Sequence, residues 1–414
     1  MLEEIFKAAK AASLEVALLS DDKRSDILRK VSDRILQKQD EILKANMEDL
    51  SKMDRENPLY DRLMLTPERL KGIADSMKEV AELPVPTGRI LEDRTMPNGL
   101  RLRKISVPFG LIGMIYEARP NVTYDVFALC LRSGNACVLK GGKDADASNR
   151  KGVEIIREVL GEEGLDKNAC TLLPATHEAT GEMLTANGLV DLVIPRGSRR
   201  LIDFVRDNAK VPCIETGAGV VNCYVDGESD SQMAAKIVMN AKTRRVSVCN
   251  ALDCLIINEN KLNDLPEICE GLAGKNVEIL ADPKSYSALE GKYPANLLAR
   301  STEDDYGTEF MAYRMSIKTV SGLEEALEHI RINGSGHSES IVTTNQTHAE
   351  DFQKKVDAAC VYVNAPTSFT DGGEFGLGAE IGISTQKLGA RGPMGLCELN
   401  TYKWLINGNG QTRK

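Results

Sequence analysis

Leu111-Ile112-Gly113-Met114-Ile115-Tyr116 is an unbroken apolar run, as expected of a strand buried on both faces at the centre of a parallel sheet. Downstream, short apolar runs alternate with longer amphipathic stretches. Strands are expected over Ala136 to Leu139, Ala169 to Leu173, Val190 to Ile194 and Val211 to Ile214. Helices are expected between them over Ser148 to Leu160, Glu178 to Ala186 and Arg199 to Ala209. Such alternation predicts an α/β fold with a doubly wound parallel sheet. Ligands of such sheets gather beyond the carboxyl ends of the strands. Three of those ends carry Lys140-Gly141-Gly142, Pro174-Ala175-Thr176 and Pro195-Arg196-Gly197-Ser198, loops across which a nucleotide could lie. The Gly-x-Gly-x-x-Gly fingerprint is absent, and Gly-Gly after a strand is equally well a simple turn.

On the amino side of this run, the first 80 or so residues read as charged amphipathic helices, with Ile27, Val31, Ile35 and Ile42 on one face. Leu100 to Val107 reads as a strand. On the carboxyl side, a second strand and helix series starts near Ser231 and runs through Leu255-Ile256-Ile257 and Val277 to Leu280. It ends near Val361-Tyr362-Val363-Asn364 and is expected to form a second domain. The glycines that follow are too mixed with other residues for a flexible spacer and read as backbone making close approaches.

A chain of 414 residues with 42% hydrophobic content is long enough for two or three packed units. Its 61 acidic and 52 basic residues are scattered, for a formal charge of −9. No basic block tracks a phosphodiester backbone, so nucleic acid is excluded as a partner. Met1-Leu2-Glu3-Glu4-Ile5 carries acid where a secretory signal carries positive charge, and no stretch approaches the ~20 apolar residues of a membrane span. A cytoplasmic chain is expected. Ten cysteines occur without a Cys-x-x-Cys pair or a Cys/His cluster at zinc spacing, which points away from a disulfide framework or a structural metal.

The chemistry centres on Ala241-Lys242-Thr243-Arg244-Arg245-Val246-Ser247-Val248-Cys249-Asn250-Ala251. Cys249 follows three cations within seven positions, and nearby positive charge favours thiolate. Spacing alone leaves two readings open: a nucleophile, or an inert thiol beside surface cations.

The segment Lys242 to Asn250 resembles the nucleophile segment of the gamma-glutamyl phosphate reductase family, a branch of the aldehyde dehydrogenase superfamily. The resemblance extends colinearly through Pro108 to Thr123, Ser133-Gly134-Asn135-Ala136, Leu139 to Gly142, Ile194 to Gly197 and Val361 to Ala365. It continues through Phe369 to Glu380, Ser384 to Leu396 and Thr401-Tyr402-Lys403-Trp404, covering nearly the full chain. It implies an aldehyde dehydrogenase-like fold, with doubly wound parallel sheets in a cofactor domain and a catalytic domain and a small oligomerisation element. The implied boundaries are 1–230 for the cofactor domain, with a return segment at about 376–395 and an oligomerisation excursion at about 117–133. The catalytic domain is then 231–375, and 396–414 is a C-terminal oligomerisation segment.

The resemblance also implies NADPH-dependent reduction of L-glutamate 5-phosphate to the 5-semialdehyde with release of phosphate, the second step of proline biosynthesis. Cys249 becomes the expected nucleophile, with Asn121 and the Cys249 backbone N–H as oxyanion donors. Arg119 and Arg245 are candidate clamps for phosphoryl or carboxylate oxygens, and Asp371 a candidate substrate contact. Lys140 is placed near the adenosine ribose, Arg196, Gly197 and Ser198 near the pyrophosphate, and Glu309-Phe310 at the nicotinamide ribose. A homo-oligomer, dimer or higher, and docking with glutamate 5-kinase are further implied. The chain departs from the family's usual spelling at Val246, Pro366 and Ser368. Glu215 falls where hydrolytic relatives keep their water-activating base. A hydrolytic NAD(P)-dependent semialdehyde dehydrogenase is therefore the rival enzyme, and a non-catalytic binding subunit the alternative of another class.

Overall fold

The computed structural model describes every residue except Met1, Pro58 and Lys414. The chain divides into two compact units. One comprises Met1–Thr216, Gly376–Gly382 and Met394–Lys414, and the other Gly217–Phe375 and Ile383–Pro393.

The first unit is built on four parallel strands in the order Cys170–Leu172, Ala136–Lys140, Leu111–Tyr116, Leu192–Arg196. Every residue of Leu111–Tyr116 is buried, as its unbroken apolar run requires. The first strand of this sheet in chain order, Leu111–Tyr116, thus lies between later ones, and this reversal of strand order opens the crevice used by ligands of doubly wound sheets. Val211 to Ile214 does not extend the sheet as a strand. Only a bridge forms, Val193 N donating to Pro212 O at 2.8 Å and Ile214 N to Val193 O at 3.0 Å; Pro212 has no N–H with which to continue the ladder.

The amino-terminal helices behave as their amphipathic pattern predicts. Ile27, Val31, Ile35 and Ile42 are all fully buried. Asp21–Gln37 and Pro67–Glu82 are fastened by Ser25 Oγ to Ala81 O at 2.8 Å and Ser32 Oγ to Ala74 O at 2.7 Å. The segment 117–133, expected as an oligomerisation excursion, instead supplies the helix Asn121–Arg132, which is buried along ten of its twelve residues. Its run of Val, Phe, Ala, Leu and Cys leaves only Asn121 and Asp125, one helical turn apart, partly exposed. The exposed accessory element is a three-stranded antiparallel sheet of Ile90–Thr95, Arg101–Pro108 and the C-terminal Asn400–Asn407. Tyr402, Trp404 and Ile406 are exposed on its last strand.

The second unit holds seven parallel strands in the order Leu298–Arg300, Glu278–Ala281, Arg314–Val320, Cys254–Asn258, Asn222–Val225, Ser338–Val342, Cys360–Val363. Apolar clusters cover both faces: Leu255 and Ile257 pack with Ile237, Val238 and Ile268, while Ile256 packs with Ala326, Ile330 and Phe352. This unit begins at Gly217, ahead of the expected Ser231, because Asn222–Val225 is one of its inner strands. The segment Ile383–Pro393 also belongs here. Gly217 N donates to Ile383 O at 3.2 Å, and Arg391 and Lys387 both pair with Asp357. The return into the first unit is therefore split around this ribbon.

The helix Asp146–Glu162, which follows the Lys140-Gly141-Gly142 loop, takes its amino-terminal partner from another helix. Asp49, 2% exposed, accepts from Ala147 N at 3.1 Å, Ser148 N at 2.8 Å and Ser148 Oγ at 2.7 Å. Asp49→Ala leaves those buried donors unpaired and is expected to lower unfolding free energy by about 1–3 kcal/mol, measured by urea denaturation. A change below about 0.5 kcal/mol would remove this cap from the account of the fold.

Candidate active site

In the second unit the helix Ser231–Thr243 starts on Asp230, whose Oδ1 accepts from Met233 N at 2.7 Å. Beyond Thr243 the chain makes a loop that closes on itself before entering the strand Cys254–Asn258. Leu252 N donates to Ala241 O at 3.0 Å, and Lys242 Nζ donates to Leu252 O at 2.8 Å. Lys242 is fully buried, with its ammonium 4.0 Å from Asp253 Oδ1. Burial lowers the pKa of Lys242 and raises that of Asp253, and each charge opposes the shift of the other. The three cations read from the sequence therefore have different fates: Lys242 turns inward to Leu252 and Asp253, while Arg244 and Arg245 are exposed on the loop.

Cys249 is partly exposed on this loop, whereas seven of the other nine thiols are buried. Burial pushes Cys223, Cys254 and Cys269 up to about 12, and also Cys213, which is partly exposed. The buried Asn250 fixes the loop's far end. Its Nδ2 donates to Thr370 O at 2.9 Å, and its carbonyl accepts from Thr367 Oγ1 at 2.9 Å. Ser368, one of the departures in spelling, donates from Oγ to Asn240 Oδ1 at 2.6 Å and ties this segment back to the helix.

Gly219 lies against the backbone of Cys249. A Cβ there would fall 1.6 Å from the Cys249 carbonyl oxygen and 2.5 Å from its carbon, so only glycine fits. Gly219 N donates to Glu309 Oε1 at 3.1 Å, and the neighbouring Phe310 N donates to Asp253 Oδ1 at 3.0 Å. Cys249, Glu309 and Phe310, far apart in sequence, are thus gathered at the amino ends of the strands. Asp371 Oδ1 accepts from Gly373 N at 2.9 Å and shapes the turn that follows it.

In the first unit the remaining candidates sit around the carboxyl ends of the sheet. Lys140 is half-buried; burial, and then the charge of Lys143, lowers its ammonium pKa. Arg196 is held by a hydrogen bond from Nη1 to Ile381 O. Gly197 and Ser198 lead into the helix Arg199–Asn208. Ser198 N and Oγ both donate to the Glu117 carboxylate, at 2.7 and 2.9 Å, and a Cβ on Gly197 would lie 2.6 Å from that carboxylate. Asn121 opens the helix Asn121–Arg132, and its Nδ2 donates to Asp125 Oδ2 at 2.9 Å. Burial pushes the Asp125 carboxyl up to about 6 against the effect of that hydrogen bond. Arg119, just before this helix, is half-buried. Glu215 is raised by burial, opposed by Arg206, whose Nη1 is 3.9 Å away.

Gly219, Asn250, Asp253, Glu117 and Asp125 were not read as site residues from sequence. Only the Gly217-Ala218-Gly219 spelling carried a signal, that of close backbone approach. Among the described residues, no group of three or more His, Cys, Asp or Glu could hold a metal ion, and no helix is long and apolar enough to cross a membrane.

Comparison with known proteins agrees with this architecture. The profile of the Aldehyde dehydrogenase family matches residues 1–277, and the chain belongs to that family, whose members use nicotinamide cofactors. Within it, the chain falls in the gamma-glutamyl phosphate reductase branch. It is 58% identical over 413 residues to a gamma-glutamyl phosphate reductase of Bacteroides fragilis, covering all of both chains. It is 56% identical over 410 residues to that of Chlorobium luteolum, covering 99% of this chain and 98% of the relative. The crystal structure of the gamma-glutamyl phosphate reductase of Thermotoga maritima superposes with a TM-score of 0.96 at 38% identity, covering both chains fully.

The close approach at Gly219 makes a sharp expectation. Gly219→Ala forces the main chain to move where it meets Cys249, and a misplacement of about 1 Å costs about a hundredfold in rate. Turnover of the folded variant is expected to fall by about that factor, followed by steady-state kinetics with circular dichroism as the folding control. Unchanged turnover would show that the approach has no part in placing the thiol.

Proposed function

We propose that this chain reduces L-glutamate 5-phosphate to L-glutamate 5-semialdehyde, using NADPH and a thioester on Cys249. The observation that carries the reading is a partly exposed thiol on a loop clamped at both ends and packed on a glycine, in a chain of this family. The Cys249 thiolate attacks the acyl carbon, a C–S bond forms, and the C–O bond to phosphate breaks. When bound, NADPH supplies the hydride that takes the thioester to the aldehyde level. Collapse of the resulting thiohemiacetal returns the sulfur and releases the semialdehyde. Negative charge on the former carbonyl oxygen is met by Asn121 Nδ2 and the Cys249 N–H. Arg119, Arg245 and Asp371 contact the substrate's charged groups.

The first unit serves as the cofactor domain and the second as the catalytic domain. The donors present suit a dinucleotide phosphate. Ser198 N and Oγ already hold an anion in the Glu117 carboxylate, and a pyrophosphate would take that place at the helix amino terminus. Lys140 would pair with the 2′-phosphate, Arg196 and Gly197 would flank the pyrophosphate, and Glu309 and Phe310 would hold the nicotinamide ribose. The exposed C-terminal strand with Tyr402, Trp404 and Ile406 supports assembly of copies through 396–414.

Two experiments test the reading. In the reverse direction, with semialdehyde and NADP⁺, NADPH formation is expected to rise from near zero with phosphate concentration and saturate, because phosphate must cleave the thioester. Cys249→Ser is expected to reduce it by at least about a thousandfold. NADPH appearing at the same rate without phosphate, with glutamate accumulating, would instead assign the hydrolytic reaction to Glu215-activated water. For the cofactor, Lys140→Ala is expected to weaken NADPH more than NADH in a fluorescence titration, since only NADPH carries the 2′-phosphate. An equal loss for both would assign Lys140 to general structure.

A further inference from the structure

Asp253, 3% exposed, stands where three segments meet at the amino ends of the second unit's strands. Its Oδ1 accepts from Phe310 N at 3.0 Å and lies 4.0 Å from Lys242 Nζ, and its Oδ2 accepts from Val221 N at 3.4 Å. Its own backbone joins the neighbouring strands: Asp253 N donates to Val221 O at 3.0 Å, and Ser316 N donates to Asp253 O at 2.8 Å. Lys242 reaches the same place from the last turn of its helix and closes the Cys249 loop through Leu252 O.

These contacts form a closed circuit. From Cys249 it passes through the packed backbone of Gly219 to Glu309 Oε1, on to Phe310 N, and from there to Asp253 Oδ1. It returns through Lys242 and Leu252 to the base of the Cys249 loop. Apolar residues of equal volume would stabilise such a core as well as a buried ion pair does, or better. A pair set at the junction of two loops instead fixes their relative position, because moving either loop breaks a hydrogen bond to a buried charge. We propose that Lys242 and Asp253 are positioning residues that hold the Cys249 loop and the Glu309-Phe310 loop in the register needed for turnover. This rests on the reading above of Cys249 as nucleophile and Glu309-Phe310 as cofactor contacts. Both side chains are buried and act through those residues.

The test uses the full-length enzyme in the reverse reaction with semialdehyde, NADP⁺ and phosphate. Three variants are compared: Asp253→Asn, which keeps the shape and loses the charge; Lys242→Met, which keeps the stem; and the double variant, which leaves no unpaired buried charge and so folds most readily. Rates are expressed per Cys249 competent for iodoacetamide labelling, counted by mass spectrometry. For each variant kcat per labelled site is expected to fall by at least about tenfold, with KM for NADP⁺ and semialdehyde within about threefold. The double variant is expected to lose no more than the worse single one, since both act in one circuit. A merely structural pair would lower the folded fraction and the thermal midpoint but leave the rate per labelled site unchanged. That result, in the double variant alone or in all three, overturns the proposal. Cys249→Ser separates the two readings: substantial turnover in that variant removes the nucleophile assignment. Loss of turnover there, with full per-site rates in the pair variants, overturns only the positioning role.

Discussion

The bond from Lys242 Nζ to Leu252 O, 2.8 Å long and sealed from water, bears the heaviest constraint in the second unit. An ammonium in such a place is tolerated only when it is hydrogen-bonded and facing an opposite charge, and Leu252 and Asp253 meet both conditions. The helix Ser231–Thr243 must therefore end where its last turn points at the start of the strand Cys254–Asn258. The residues between are forced into a loop whose two ends lie side by side. Cys249 thus owes its exposure to a closure made several residues away, and Asn250 and Gly219 need only set the loop's height. The same arrangement takes one of the three cations out of a count along the sequence: Lys242, at the end of its helix, is a structural clamp on Leu252 and Asp253.

Much of the fold was legible because its central elements are extreme in composition. Leu111–Tyr116 is apolar at every position, the helix faces carrying Ile27 to Ile42 keep strict spacing, and Leu255-Ile256-Ile257 has no other home than a buried strand. Elements without such a signature were missed. Asn222–Val225 is four residues long and starts with a buried asparagine whose N–H donates to Glu339, and Ser338–Val342 opens Ser-Glu-Ser yet is wholly buried. Part of that polarity is met by partners distant in sequence, the Asn222 N–H by Glu339, Ser338 Oγ by Thr370 Oγ1 and Ser340 Oγ by the Ala365 carbonyl, which no reading along a single strand can detect. Val211 to Ile214 failed in the opposite sense: its side chains suit a strand, but Pro212 denies it the donor.

The site was legible in the same uneven way. Cys249, Glu309 and Phe310 were found through resemblance, and the structure gathers them around Gly219 and Asp253, Glu309 and Phe310 by hydrogen bonds and Cys249 by the packing of its backbone on Gly219. What resemblance did not supply is the set of residues that make them neighbours, because Gly219, Asp253 and Asn250 act through their own or other residues' backbone atoms. A backbone N–H or carbonyl has no letter of its own in the sequence. Asp253 in particular reads as an ordinary acid before a strand, and its meaning depends on Phe310, fifty-seven positions away.

The two units place their polar groups by different physical means. In the first, the donors at Ser198 belong to a helix amino terminus, where unsatisfied N–H groups favour any anion; Glu117 satisfies them within the chain. A site of this kind is selective for charge and permissive of identity, so one carboxylate or phosphate can replace another without rebuilding the fold. In the second, the donors and acceptors around Cys249 are spent on one another, and a side chain as small as a methyl at Gly219 has no room. That site is rigid by exclusion. Exchangeable anion binding suits a group that must arrive and leave in every cycle. Under the proposed function, steric fixation suits Cys249 as a nucleophile that stays in place while its partners change.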